Sequence, residues 1–128
     1  MYLLKVEGSF DAAHWLRDYE GDCARLHGHH WTVEMSIAGE ELGRGDLLID
    51  FVDVKRMLRE AVGALDHRCI NDVPPFDRLS PTSENLARYL YEELAKGLER
   101  IAPALRLEEV RVSESPQTAV IYRPGGAL

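Results

Sequence analysis

The stretch Cys23-Ala24-Arg25-Leu26-His27-Gly28-His29-His30-Trp31 runs directly into Thr32-Val33-Glu34-Met35-Ser36-Ile37, and no other part of the chain constrains the fold as tightly. From Trp31 onward, apolar residues alternate at Trp31, Val33, Met35 and Ile37, the period of a strand with one buried face. Carried backwards, that period puts His27 and His29 on the same face, because residues i and i+2 of a strand point the same way. Their Cα atoms then stand about 7 Å apart, with both imidazoles aimed in one direction. His30 falls on the opposite face with Thr32 and Glu34 and reads as a bystander.

Two imidazoles are not a metal site; zinc wants a third protein ligand and, for catalysis, an open fourth position. Tyr2, Leu4, Val6, Gly8, Phe10, Ala12 and His14 share one parity along the N-terminal run, with Gly8 a candidate bulge. If this run pairs antiparallel with the second strand, its end lies beside the second strand's start. His14 then joins His27 and His29 as a three-imidazole zinc site. The plainer alternative is two surface histidines at a turn and a His14 packed in the core.

Three further groups carry chemistry and remain open on the residues alone. Cys23, four residues before His27, suits either a fourth metal ligand or a base, since a cation nearby lowers a thiol's pKa. Asp66-His67 suits a carboxylate-held proton shuttle or a helix end with a dipole-favoured imidazolium. Glu114 shares the parity of Val110 and Val112, so an acid stands where an apolar residue is expected. It is either a buried carboxylate needing partners or a solvated strand end. Cys69 reads as packing.

Two helices separate the first pair of strands from the last. Asp50 is a plausible N-cap, and Phe51, Val54, Leu58, Ala61 and Leu65 follow helical spacing to an end near Leu65. Ser80-Pro81-Thr82-Ser83-Glu84 announces the second helix, with Leu86, Leu90, Leu94, Leu98 and Ile101 as its inner stripe and Pro103 as its stop. Leu107–Glu114 and Thr118–Tyr122 form a closing hairpin across Ser115-Pro116-Gln117. The order β-β-α-α-β-β predicts an α+β fold: an antiparallel four-stranded sheet with two helices on one face, one domain over 1–128. At 128 residues, 45% hydrophobic and 29% charged, the chain can bury a real core.

A net charge of −7 with no Lys/Arg run argues against nucleic acid as a partner. No apolar run approaches a membrane span, and Met1–Glu7 is too short and charged for a signal peptide. The expected location is cytoplasmic, where Cys23 and Cys69 would stay free thiols.

Phe10-Asp11-Ala12-Ala13-His14, Cys23-x3-His27-Gly28-His29, Leu65-Asp66-His67, Pro81-Thr82-Ser83-Glu84-Asn85 and Val112-Ser113-Glu114 occur in that order. As an ordered set they resemble the 6-pyruvoyl-tetrahydropterin synthase superfamily from about Phe10 to Arg123. The short Cys-x3-His-Gly-His spacing looks most like the bacterial 6-carboxy-tetrahydropterin synthase branch of the queuosine (7-deazapurine) pathway. The resemblance implies the tunnelling fold, with sheets joined in a ring, and a homo-hexamer with sites near subunit interfaces. It also implies Zn2+ on His14, His27 and His29, Cys23 as catalytic base, Asp66 and His67 as the catalytic pair, and a pterin held by Glu114 with Thr82 and Ser83 lining its pocket. Arg25, Lys55 and Arg68 are expected triphosphate contacts. The implied reaction is a lyase converting 7,8-dihydroneopterin triphosphate to 6-carboxy-tetrahydropterin, acetaldehyde and triphosphate. The pyruvoyl reaction and a non-catalytic zinc- or pterin-binding protein are the alternatives. The chain departs from the pattern at His30, where Ser or Asn is more usual, and at Ser115-Pro116-Gln117.

Overall fold

In a computed structural model, which describes residues 1–125, the N-terminal alternation forms strand β1 (Tyr2–His14) and the histidine-led run forms β2 (His27–Gly39). They pair antiparallel without interruption from Tyr2 opposite Gly39 to His14 opposite His27. Gly8 therefore marks no bulge. A Cβ built there would meet Leu58 Cδ2 at 3.0 Å, so glycine lets the first helix lie close to the sheet. Register shifts fall instead between Ser36 and Ile37, where β2 pairs with β4 (Arg106–Ser115), and between Val112 and Ser115, where β4 meets the last strand.

Helix α1 (Phe51–Gly63) starts where Asp50 Oδ1 accepts the Val52 N–H at 2.9 Å, satisfying an orphan donor of the first turn. It ends two residues before Leu65. Its buried face is Val54, Leu58 and Val62, and Phe51 is left exposed. Helix α2 (Ser83–Ile101) is capped by Thr82, whose hydroxyl oxygen accepts the Asn85 N–H at 3.1 Å. Leu86, Leu90, Leu94 and Leu98 are buried as the spacing predicts, whereas Ile101, the last residue of the helix, is exposed. A buried leucine contributes about 1.5–3 kcal/mol against about 1 kcal/mol for a cap, so α2 is held chiefly by its inner stripe.

Both helices bury these faces in one core with Val6, Phe10, Trp31, Val33, Met35, Ile37, Val110 and Val112 from the sheet. Phe10 stacks on Trp31 with ring centroids 5.9 Å apart. The expected four antiparallel strands need correction. The sheet has five, in the order β3-β1-β2-β4-β5, with β5 spanning Thr118–Tyr122. The extra strand, β3 (Arg68–Cys69), lies parallel to β1 at Ala12 and Ala13, which makes the sheet mixed. Two residues carry no periodicity to read. They pair because the turn before them is tied to Asp11: its amide donates to Asp66 Oδ1 at 2.9 Å and its carbonyl accepts the His67 N–H at 2.6 Å.

Candidate metal and catalytic site

Strand pairing brings three imidazoles together at the end of the β1–β2 ladder. His14 closes β1, His27 opens β2 opposite it, and His29 lies opposite Ala12 on the same face. Their ring centroids are 4.6 to 5.3 Å apart, and one ligand atom from each lies within 4.8 Å of the others. Trp31, fully buried beneath, presents its ring edge-on to His14 and His29 at 4.8 and 5.3 Å. Its Nε1–H donates to the Ala12 carbonyl at 3.2 Å, which fixes that apolar floor.

Two of the rings have their tautomer set by backbone. Nδ1 of His14 is 2.7 Å from the Pro81 carbonyl, and Nδ1 of His27 is 2.7 Å from that of Arg25. A carbonyl only accepts, so each Nδ1 carries the hydrogen and each Nε2 keeps its lone pair. Nε2 of His14, His27 and His29 are all buried without a hydrogen-bond partner. Buried polar atoms are ordinarily satisfied, and three converging ring nitrogens without partners fit a metal ion that takes neutral nitrogen ligands.

Burial, reinforced by the neighbouring imidazoles, pulls the His14 pKa below 6.5, and burial also lowers that of His29. Neutral rings are the ligand form. The sign for stability follows: both groups bind protons less readily folded than unfolded, so the stability they confer is present above 6.5 and lost as pH falls through their lowered folded pKa values. Metal-free protein is therefore expected to melt at progressively lower temperature as pH drops below about 6.5. A melting temperature independent of pH there would contradict buried neutral imidazoles.

Residues with no motif hold this arrangement. The Arg17 guanidinium donates to the carbonyls of Phe76, Leu79 and Asp77 at 2.8, 3.0 and 3.3 Å, and its amide donates to Ser80 Oγ. Asn71, nearly buried, bonds both the amide and the carbonyl of Trp15 at 3.0 Å. Together they pin the chain after β1 to the segment that delivers the Pro81 carbonyl to His14. Sequence reasoning missed both, because neither has a spacing that announces a partner some 60 residues away.

Cys23 sits half-buried in a 3-10 turn, Asp22–Ala24, whose Cys23 carbonyl accepts the Leu16 N–H at 2.9 Å. Its sulfur is not part of the ligand cluster. Asp66 and His67 form a side-chain pair, Oδ1 to Nδ1 3.0 Å, on an exposed turn. The Asp11 amide, and then the His67 ring, hold the Asp66 carboxyl below its usual range. His67 has φ +59°, a left-handed conformation that His tolerates better than most residues, so the hydrogen bonds to Asp11 set its direction. His30 stands outside the three-imidazole cluster, on the opposite face, where its Nδ1 pairs with Asp11 Oδ1 at 2.7 Å. It shares a shallow cleft with His29, His67 and Arg68.

Glu114 is half-exposed, with Oε2 3.5 Å from His29 Nε2 and 3.9 Å from His14 Nε2. Thr82, the N-cap of α2, and Ser83, its first residue, follow Pro81 directly in the chain. Of the expected phosphate contacts, Lys55 lines a separate groove beside Gly8 and Arg59, while Arg68 lies on β3.

A mixed sheet backed by two helices, with three orphaned imidazoles at one strand end and a separate Asp66–His67 pair grouped with Asp11, defines an α+β protein with a metal-type site. Residues 3–125 match the sequence model of the family described as 6-pyruvoyl tetrahydropterin synthase. The chain is 35% identical to the 6-carboxy-5,6,7,8-tetrahydropterin synthase of Bacillus subtilis, over 94% of this chain and 84% of that one. It is 36% identical to the dihydroneopterin monophosphate aldolase of Pyrococcus furiosus, over 70% and 72% of the two chains. The solved 6-pyruvoyl tetrahydropterin synthase of Caenorhabditis elegans superimposes with a TM-score of 0.87 at 26% identity, covering 97% of this chain and 96% of that one. The chain belongs to the 6-pyruvoyl tetrahydropterin synthase family, a family of pterin lyases. Among the described residues, no helix is long and apolar enough to cross a membrane.

Proposed function

We propose that the protein is a zinc-dependent 6-carboxy-tetrahydropterin synthase, a lyase acting on 7,8-dihydroneopterin triphosphate in the supply of queuosine precursors. The observation that carries this reading is the trio of buried, unpartnered Nε2 nitrogens on His14, His27 and His29, within a family of pterin enzymes. Zinc on those nitrogens would supply a Lewis acid for oxygen charge developing on the substrate side chain. Cys23, outside the ligand cluster, removes a proton from that side chain. His67 moves protons at the substrate's other side, held by Asp66, which keeps its charge and orients the ring. Glu114 receives the pterin's 2-amino and N3–H donors, a parallel pair that matches a carboxylate, with Thr82 and Ser83 along the pocket wall.

We read the chain as one domain, since its helices and sheet share a single core. The free edges at β3 and β5 need covering, and ring closure into a homo-hexamer would do so, with sites near the interfaces.

Incubating the zinc-loaded protein with dihydroneopterin triphosphate and identifying the products tests the assignment. Acetaldehyde and 6-carboxy-tetrahydropterin are expected in equal amounts. Triphosphate release with the two-carbon unit retained would reassign the chain to the pyruvoyl reaction. The relative from Pyrococcus furiosus favours one further comparison, with dihydroneopterin monophosphate as substrate. Preferential turnover of that compound would make the chain an aldolase.

A further inference from the structure

The chain leaving β1 has no regular structure, yet every residue from His14 to Arg17 is tied down. His14 Nδ1 donates to the Pro81 carbonyl. The Trp15 amide donates to Asn71 Oδ1, and the Trp15 carbonyl accepts from Asn71 Nδ2, both at 3.0 Å. The Leu16 N–H donates to the Cys23 carbonyl at 2.9 Å, which closes the loop that carries the thiol. The Arg17 amide donates to Ser80 Oγ at 3.0 Å. Its guanidinium lies 4.7 Å from the centre of the Trp15 ring, with Nη1 donating to the Phe76 and Leu79 carbonyls and Nη2 to that of Asp77. A planar fork of five donors suits several carbonyls at once, where a lysine offers only a point charge. Phe76 is fully buried, so the turn that Arg17 grips is itself anchored in the core. Arg17 and Asn71 thus bracket Leu16, the residue whose amide holds Cys23. The gripped turn also leads through Ser80 to Pro81, whose carbonyl sets the His14 ring.

We propose that Arg17 is a positioning residue of the pterin reaction, fixing the Cys23 loop and the metal-ligand His14 in one frame. The inference rests on Cys23 as the base. A reacting group carried on a loop needs a mount locked by packing and hydrogen bonds, and a misplacement of about 1 Å can cost about a hundredfold in rate. Losing Arg17 therefore acts on kcat. The three histidines keep their places on the β1–β2 ladder, and Glu114 keeps its own on β4.

Arg17→Met keeps an apolar stem on Trp15 and removes every donor, whereas Arg17→Ala empties the space. Both are compared with wild type, zinc-loaded, on dihydroneopterin triphosphate. On the same samples, iodoacetamide labelling of each cysteine is followed by mass spectrometry. Both variants are expected to retain zinc and a KM near the wild-type value, with kcat lower by about tenfold to a hundredfold. Millimolar guanidinium should restore part of the rate of Arg17→Ala and none of that of Arg17→Met, where the thioether fills the space. Cys23 should label severalfold faster in both variants, while Cys69, on β3, reacts as before. An unchanged kcat in Arg17→Met, or an unchanged Cys23 labelling rate, would overturn the proposal. So would a loss confined to zinc content or KM, or an Arg17→Ala rate that guanidinium leaves unmoved. If Arg17→Ala does not fold, Arg17→Met decides by kcat and labelling. If the zinc-loaded wild type leaves the substrate unconverted, the lyase reading falls, and labelling alone decides whether Arg17 sets the loop.

Discussion

A His27→Ala protein is expected to purify without zinc, whereas His30→Ala should retain one zinc per chain. The two histidines are three residues apart, but the pleat sends their side chains to opposite faces. His27 aims Nε2 at His14 and His29 because its Nδ1 is tied to the Arg25 carbonyl. Removing it leaves two imidazoles, fewer than the three protein ligands of a catalytic zinc site. His30 instead bonds Asp11 on the other face. That pair is exposed on both sides and worth at most about 1 kcal/mol, so its loss should leave the melting temperature nearly unchanged. Metal analysis of both purified variants decides the matter. Stoichiometric zinc in His27→Ala, or its disappearance from His30→Ala, would remove the face-parity basis of the site.

Strand parity made the three histidines legible because it is a local property that a long, uninterrupted ladder preserves. Thirteen consecutive pairs between β1 and β2 leave no room for a slip that would turn His14 outward. Helix starts were legible for a similar reason: Asp50 and Thr82 act within three residues of their own position. The helical faces were less so. Phe51 and Ile101 fit the apolar spacing but sit at helix ends, where the sheet no longer covers them.

What escaped was set by contacts distant in sequence. Strand β3 exists because Asp66 and His67 grip the backbone of Asp11, 55 residues away, and nothing in Arg68-Cys69 announces it. Arg17 and Asn71 act through backbone carbonyls and amides, which leave no trace in side-chain pattern. Glu114 is an acid on an apolar parity, and that parity points it at His14 and His29. Its distance from them could not be inferred, since it depends on the β2–β4 register, in which Thr32 stands opposite Ser113.

Cys23→Ala is expected to keep full zinc and lose turnover by about a hundredfold or more. Sulfur is absent from the three-imidazole cluster, so its removal takes no ligand from the ion, whose shell of three nitrogens can be completed without it. The loop should survive the change, because Cys23 holds it through its backbone carbonyl, which accepts the Leu16 N–H, and alanine keeps that carbonyl. Pterin binding, assigned to Glu114 on β4, should also be intact. What disappears is the thiol proposed as the base, and removing a positioned acid or base typically costs roughly 10²–10⁴ in rate. Serine at this position should not rescue the rate, since a hydroxyl is far harder to ionise than a thiol. Zinc content, pterin affinity and product formation measured on one preparation separate the possibilities. Zinc lost together with activity would make Cys23 a ligand of a closed site and turn the reading towards a binding protein on this scaffold. Activity retained with zinc in place would move the proton transfer to another group.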